Sequence, residues 1–351
     1  MRNLFEIDAW KIIENKFDSS KQKQAESIFS IGNGSFGQRA NFEEHYSGDS
    51  LQGSYVGGVY YPDKTRVGWW KNGYPEYFAK VLNSCNWIGI NIEVDGILLD
   101  LNTCEVKSFH RELDMQHGIL TRHFKVILSN GKELEVQSIR FCSMAKEEIA
   151  AISYTVTPIN FSGNVKFTPY LDGKVSNHDA NYDEFFWLED SRKVDAQKGI
   201  ICGRTKKTNF SVATAMRYSF WKDTELLTIH PNVAERDFYV ENNFEHYLEK
   251  GIPYTLKKYV AITSTMNHSD FELAAKEETA RRTGIMTYYK GQAFMELNNK
   301  IKANEIFELL FAAGNEQLNT EGRGQEEFFA IFGEREDDKT RQSTAYLLRG
   351  L

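Results

Sequence analysis

The chain of 351 residues carries 42 basic and 49 acidic side chains, a formal net charge of −7. Neither sign forms a long block, so neither nucleic acid nor an anionic membrane is an expected partner. No stretch approaches about 18 uninterrupted apolar residues, and the N-terminal "MRNLFEIDAWKIIENKF" mixes charge into every turn. We therefore expect neither a spanning helix nor a signal peptide, and a cytoplasmic protein.

In chain order, the first distinctive run is "ESIFSIGNGSFGQRANFEE", Glu26 to Glu44. Gly32, Gly34 and Gly37 approximate the dinucleotide pattern G-x-G-x-x-G, which carries weight only between a strand and a helix. The residues after Gly37 have no 3.6-residue apolar repeat and soon turn glycine-rich and aromatic. The run therefore reads as a strand, a tight turn at Asn33-Gly34 with positive φ as in a type I′ hairpin, and a second strand.

Residues 53–78, "GSYVGGVYYPDKTRVGWWKNGYPEYF", crowd Tyr60, Tyr61, Trp69 and Trp70 into a segment whose Gly, Pro, Lys and Asp argue against a continuous strand. Two readings stand side by side. The rings pack a long loop onto the domain, or Trp69 and Trp70 offer faces to a sugar while Lys71 and Asn72 bond its hydroxyls.

From about residue 86, short alternating runs succeed one another: "WIGINIEV", "ILLDL", "GILTRHFKVIL", "KELEVQSIRFCS", "EIAAISYTVTPI", "NVKFTPYLDG" and on to "YTLKKYVAITST". Asp95-Gly96 and Asn130-Gly131 mark hairpin turns. Strands at this spacing, with no long helices between them, predict one large antiparallel domain of sandwich or barrel type. The load of 24 Phe, 17 Tyr and 6 Trp suits such sheets and also suits sugar stacking. After Thr265 the texture changes. An N-cap at Ser269 or Asp270 opens a helix whose Phe271, Ala274 and Ala275 share a face. The partition expected is a β-domain over 1–268, a helical linker over 269–313 and a divergent tail over 314–351.

Chemistry is thinly marked. Four cysteines with no C-x-x-C pair and eight scattered histidines support no metal centre or cofactor. The adjacent acids Glu43-Glu44, Glu147-Glu148, Asp183-Glu184, Glu189-Asp190 and Glu277-Glu278 read as solvated faces or turns. On a strand such neighbours would also point to opposite faces.

Four blocks in order, "ESIFSIGNGSFGQRANFEE", "GSYVGGVYY", "NWIGINIEVDGILLDL" and "FHRELDMQHGILTRHF", resemble the N-terminal domain of glycoside hydrolase family 65, the maltose and kojibiose phosphorylases. The resemblance covers roughly residues 5–270. It implies a mainly β fold, a large antiparallel β-supersandwich of galactose-mutarotase type, followed by a helical linker and an α/α-barrel. It implies an inverting reaction on an α-linked glucose disaccharide, with inorganic phosphate as co-substrate and neither cofactor nor metal. Implied partners are the barrel and a second copy of the chain in a homodimer. The barrel's general acid and phosphate site have no counterpart before Leu351, so the chain is expected to be a truncated form, inactive alone, and no catalytic residue is carried over. Tyr60, Tyr61, Trp69, Trp70, Lys71 and Asn72 form the candidate sugar- or barrel-facing loop. A free-standing carbohydrate-binding or assembly module is the alternative. A sugar epimerase using His178 with Asp179 or Asp183 is a weaker one.

Overall fold

A computed structural model describes residues 5–7, 9–66, 73, 75–178, 180 and 183–280. The chain opens with β1 (Glu6–Ile7) and β2 (Lys11–Glu14), then α1 (Gln22–Ile28), β3 (Ile31–Gly32), β4 (Phe36–Gln38), β5 (Ser54–Lys64) and β6 (Tyr77–Asn83). The central run comprises β7 (Ile90–Val94), β8 (Ile97–Leu98), β9 (Glu105–Asp114), β10 (Ile119–Ile127), β11 (Glu133–Cys142), β12 (Ile149–Pro158) and β13 (Gly163–Asp172). It closes with β14 (Trp187–Asp195), β15 (Lys198–Thr205), β16 (Ser211–Lys222), β17 (Glu225–Leu227), β18 (Asn232–Arg236), β19 (Tyr239–Leu248), β20 (Tyr254–Ser264) and α2 (Phe271–Ala280).

The mainly β, antiparallel expectation holds. An 11-stranded sheet runs β1-β2-β9-β10-β11-β12-β20-β16-β15-β14, with β17 on β16. A second, five-stranded sheet runs β18-β19-β13-β7-β8, and a third, four-stranded one runs β3-β4-β5-β6. Every pairing described between these strands is antiparallel. Period-2 alternation explains why the large sheet forms. In β10, Leu120, Arg122, Phe124 and Val126 point inward and are buried, while His123 and Lys125 between them are exposed.

The five-stranded sheet covers the large one. Phe167 of β13 meets Phe220 of β16 at 4.9 Å, and Phe244 of β19 lies 5.0 Å from the same ring. Ring pairs at such separations add to the gain from burying their area. Trp87, Phe124, Phe167 and Leu256 are wholly buried in the resulting core.

Asp95-Gly96 turns as a type I′ hairpin, with positive φ at both residues. Asn33-Gly34 departs from that reading. Only Gly34 has positive φ, at 92°, and the Asn33 amide donates across the turn to the Phe36 carbonyl at 3.1 Å. Glycine at the first central position alone is the type II′ arrangement. Asn33 acts through its side chain. Its Oδ1 accepts from the Ser35 and Phe36 amides, and its Nδ2 donates to the Ser143 and Glu147 carbonyls at 2.8 and 2.9 Å. The turn is thereby tied to the β11–β12 connection.

Two further expectations are corrected. Glu26 lies in α1, not in a strand, because "QKQAESI" is rich in helix formers and Asp18 caps the preceding turn, accepting from the Ser20 amide at 3.0 Å. Residues 54–64 form a strand, not a loop. A register shift between Tyr55 and Tyr60 absorbs Gly57-Gly58, with Gly58 at φ 75°. Pro62 lies beyond the reach of β4, which pairs only Ser54–Val56, so no described strand needs an N–H from that side of β5 at the proline.

Asp270 is the cap of α2, its Oδ1 accepting from the Leu273 amide at 3.0 Å. Ala275 is buried and Phe271 packs with it against Cys202, Ala213, Ala215 and Ala261. Contacts gather residues 1–279 into one compact unit. The rest of the expected linker, and the tail over 314–351, lie outside the described residues.

Candidate functional site

Two polar features stand out, and they differ in kind. The first is a belt of charge inside the sandwich. Arg111 and Arg122 face each other across β9 and β10, and Arg140 of β11 and Tyr154 of β12 continue the inward row. Above them lies the segment from Gln38 to Tyr46. Arg122 ion-pairs with Glu44 through both nitrogens and with Glu43 at 2.7 Å. Arg140 reaches Glu43 at 3.2 Å and the Asn41 carbonyl at 3.3 Å, and the Tyr154 hydroxyl donates to Glu44 at 2.9 Å.

All of these ionisable side chains are buried. The expectation that Glu43-Glu44 is a solvated face is therefore overturned. The pair sits in an extended segment between sheets, where both carboxylates find arginines on the strands beneath them. Burial alone would raise the Glu43 carboxyl, but Arg140 and Arg122 overcome it and hold it below its ordinary value. Burial beside Glu44 drives the Tyr154 hydroxyl far up. At the edge, Arg111 is held by Glu14 at 2.6 Å and donates to Gln22 at 3.1 Å. Glu43 and Glu44 each keep only 3% of their surface exposed. The belt pins the "RANFEE" segment to the sheet.

Nearby in the same core stands Lys258, fully buried, donating to the Gly89 and Tyr170 carbonyls at 2.9 and 2.7 Å. Burial pushes its amine down to about 7, opposed only in part by Cys85 and Glu43. The thiols of Cys85 and Cys142 are buried as well, and burial raises both.

The second feature is the β5–β6 ribbon. Tyr60 pairs with Val81, and both are exposed, as are Tyr77 and Phe78 further out. Tyr61 points the other way. It is buried, lies 4.3 Å from the Phe186 ring and donates its hydroxyl to Glu184 at 2.5 Å. The structure thus separates the two tyrosines onto opposite faces, as strand neighbours must be. Trp69, Trp70, Lys71 and Asn72 lie outside the described residues.

At the foot of the ribbon is a cleft of about 490 Å³ lined by Gln52, Tyr55, Phe78, Val81, Asn83 and His178, among others. Its floor is rigid. Asn83 accepts from the Ser54 amide and donates to the Gln52 carbonyl, the Gln52 Oε1 and the Ser176 carbonyl, and its own amide donates to Asn177 Oδ1 at 2.8 Å. His178 lines this rim, and its expected partner Asp179 lies outside the described residues. Asp183, the other expected partner of His178, holds a left-handed φ of 53° and is not among the residues lining the cleft. A second groove of about 390 Å³ lies beside β5, floored by Gly34, Gly37, Gly57 and Gly58. Among the described residues no group of three or more His, Cys, Asp or Glu could hold a metal ion. Gln52, Asn83 and Asn177 carry no mark in their local sequence. Only the fold joins three amides that lie far apart in the chain.

The family described as "Glycosyl hydrolase family 65, N-terminal domain" matches residues 12–293. Maltose phosphorylase of Bacillus subtilis is 41% identical over 280 residues, covering 78% of this chain and 36% of that protein. An α,α-trehalose phosphorylase of Thermoanaerobacter brockii is 31% identical over 323 residues, covering 82% of this chain and 39% of that one. A solved chain from the human microbiome, assigned as a kojibiose phosphorylase, superposes with a TM-score of 0.69 at 25% identity, over 79% of this chain and 36% of that one. The chain thus spans little more than a third of the length of these relatives.

Proposed function

Because the chain belongs to glycosyl hydrolase family 65, whose N-terminal domain it carries, we propose that it serves the splitting of an α-linked glucose disaccharide by inorganic phosphate. The glycosidic C1–O bond breaks while a phosphate oxygen bonds C1 from the opposite face, giving β-glucose 1-phosphate. The released sugar's oxygen takes a proton from a single carboxylic acid. Phosphate stands in for the water and base of an inverting hydrolase, so one catalytic carboxyl suffices. The observation that carries this reading is the 41% identity to maltose phosphorylase over 280 residues, 78% of this chain.

Within that scheme the described domain is a scaffold. Its buried glutamates, Glu14, Glu26, Glu43 and Glu44, are all engaged by arginines or other donors. We assign none of them to bond cleavage, and the proposed partner is an α/α-barrel supplying the general acid and the phosphate site. The chain of 351 residues, incubated alone with phosphate and maltose, trehalose or kojibiose, is then expected to release no sugar phosphate; robust release would overturn that inactivity. A chimera in which this domain replaces the 280 aligned residues of the Bacillus enzyme is expected to phosphorolyse maltose. A folded chimera that consumes no phosphate would remove the functional reading itself.

A further inference from the structure

We propose that the cleft at the foot of the β5–β6 ribbon binds a neutral sugar, with Tyr55 and Phe78 as its ring-facing walls and the Gln52 amide as a hydrogen-bond donor. Its size, its walls, its charge and its hydrogen-bonding capacity converge on this ligand class.

The space, about 490 Å³, falls within the range of small-molecule clefts. Its walls combine two aromatic rings and the 57% exposed Val81 with the neutral amides of Gln52, Asn83 and Asn177. A pyranose presents the matching pair of surfaces, apolar C–H faces and an equatorial rim of hydroxyls. The one cation in the lining, Lys80, is held by Asp63 at 2.8 Å, so the wall gives an anion no uncompensated charge. That favours a neutral ligand over a phosphate or a carboxylate.

The hydrogen-bonding capacity is also uneven in an informative way. Asn83 is saturated, and Asn177 both accepts from the Asn83 amide and donates to the Val81 carbonyl at 2.9 Å. Gln52 is half used. Its Oε1 accepts from Asn83 at 2.8 Å, which fixes the orientation of the amide, while its Nε2 has no partner among the described residues and is closed off from bulk water. A shift of the Gln52 side chain toward the cleft brings this shielded N–H to an incoming hydroxyl, which supplies the acceptor it lacks, and unmet buried donors are where a correctly placed ligand atom gains most. The exposed residues His178 and Ser176 also line the cleft, with an imidazole and a hydroxyl available to further sugar hydroxyls.

This site does not depend on phosphorolysis: a chain that releases no sugar phosphate can still bind the sugar. Saturation-transfer NMR and calorimetric titration of the full chain with glucose, maltose and, separately, inorganic phosphate provide the test. Sugar binding without phosphate binding is expected. Gln52→Glu keeps the oxygen that accepts from Asn83 but turns the donor into an acceptor, and Phe78→Ala removes an exposed ring without disturbing the core. Each is expected to weaken sugar binding about tenfold or more, with the melting temperature of Phe78→Ala unchanged. Absence of sugar binding, binding of phosphate in its place, or unchanged affinity in either variant overturns the proposal.

Discussion

The charge belt under "RANFEE" and the β5–β6 ribbon both place polar groups beside aromatic rings, yet they are built by opposite rules. In the belt every carboxylate is answered by an arginine. Arg122 lies 4.2 Å from the Phe42 ring centroid and 4.9 Å from that of Phe124, closing the site from above and below. In the ribbon, Tyr60, Tyr77, Phe78 and Val81 stay exposed, and an amide at its foot keeps a donor in reserve. A buried, compensated network specifies a conformation. An exposed apolar surface over a rigid floor is what binding requires. The presence of charge or aromatics does not distinguish the two; satisfaction and exposure do.

The sharpest way to break this contrast is to uncompensate the belt. Arg122→Met leaves Glu43 and Glu44 buried against a neutral side chain and is expected to cost about 3–5 kcal/mol, enough to lower the urea midpoint substantially or abolish soluble expression. A loss under about 1 kcal/mol would mean that the pair is hydrated and the belt is no pin.

Lys258 offers the next largest effect, through pH. Its amine is lowered in the folded state to about 7 from 10.5, so the unfolded chain binds more protons between those values. Stability should therefore climb as pH rises from about 7 to about 8.5, by up to about 1.4 kcal/mol per unit from this group. Above that window the buried thiols of Cys85 and Cys142, raised in the fold, begin to act in the opposite sense. Chemical denaturation of the parent and of Lys258→Met at both pH values should show the climb in the parent and a flatter profile in the variant. Equal slopes would place the proton elsewhere.

A smaller loss is expected at the hairpin turn. Gly34 has φ 92° and open space around a would-be Cβ, so Gly34→Ala suffers backbone strain alone, about 1–2 kcal/mol, read as a drop in melting temperature. Smallest of all, Phe78→Ala should change stability by no more than about 0.5 kcal/mol. A larger cost would mean that its ring is structural and would blur the distinction between ribbon and belt.

Much of the fold is legible in the sequence because the large sheet obeys period 2, and Asp95-Gly96 announces its turn outright. The departures have particular causes. β5 hides behind Gly57, Gly58 and Pro62, residues that normally interrupt strands and here form a bulge and a stretch beyond the reach of β4. α1 is masked because "SIF" looks extended in isolation, while the capping residue Asp18 lies well upstream of it. Glu43-Glu44 looks solvated because its partners, Arg122 and Arg140, lie far along the chain on other strands. An inward arginine in the otherwise apolar row Leu120, Arg122, Phe124, Val126 is the available signal, since a charge at a core position requires a buried partner.

The role proposed for this domain is to scaffold phosphorolysis without itself cleaving the bond. It is tested most directly by measuring phosphate-dependent release of glucose 1-phosphate from maltose, side by side, for the chain alone and for the chimera with the Bacillus enzyme. None is expected from the chain, and sustained release from the chimera. Release by the isolated chain, or a folded chimera that leaves maltose and phosphate untouched, would contradict it.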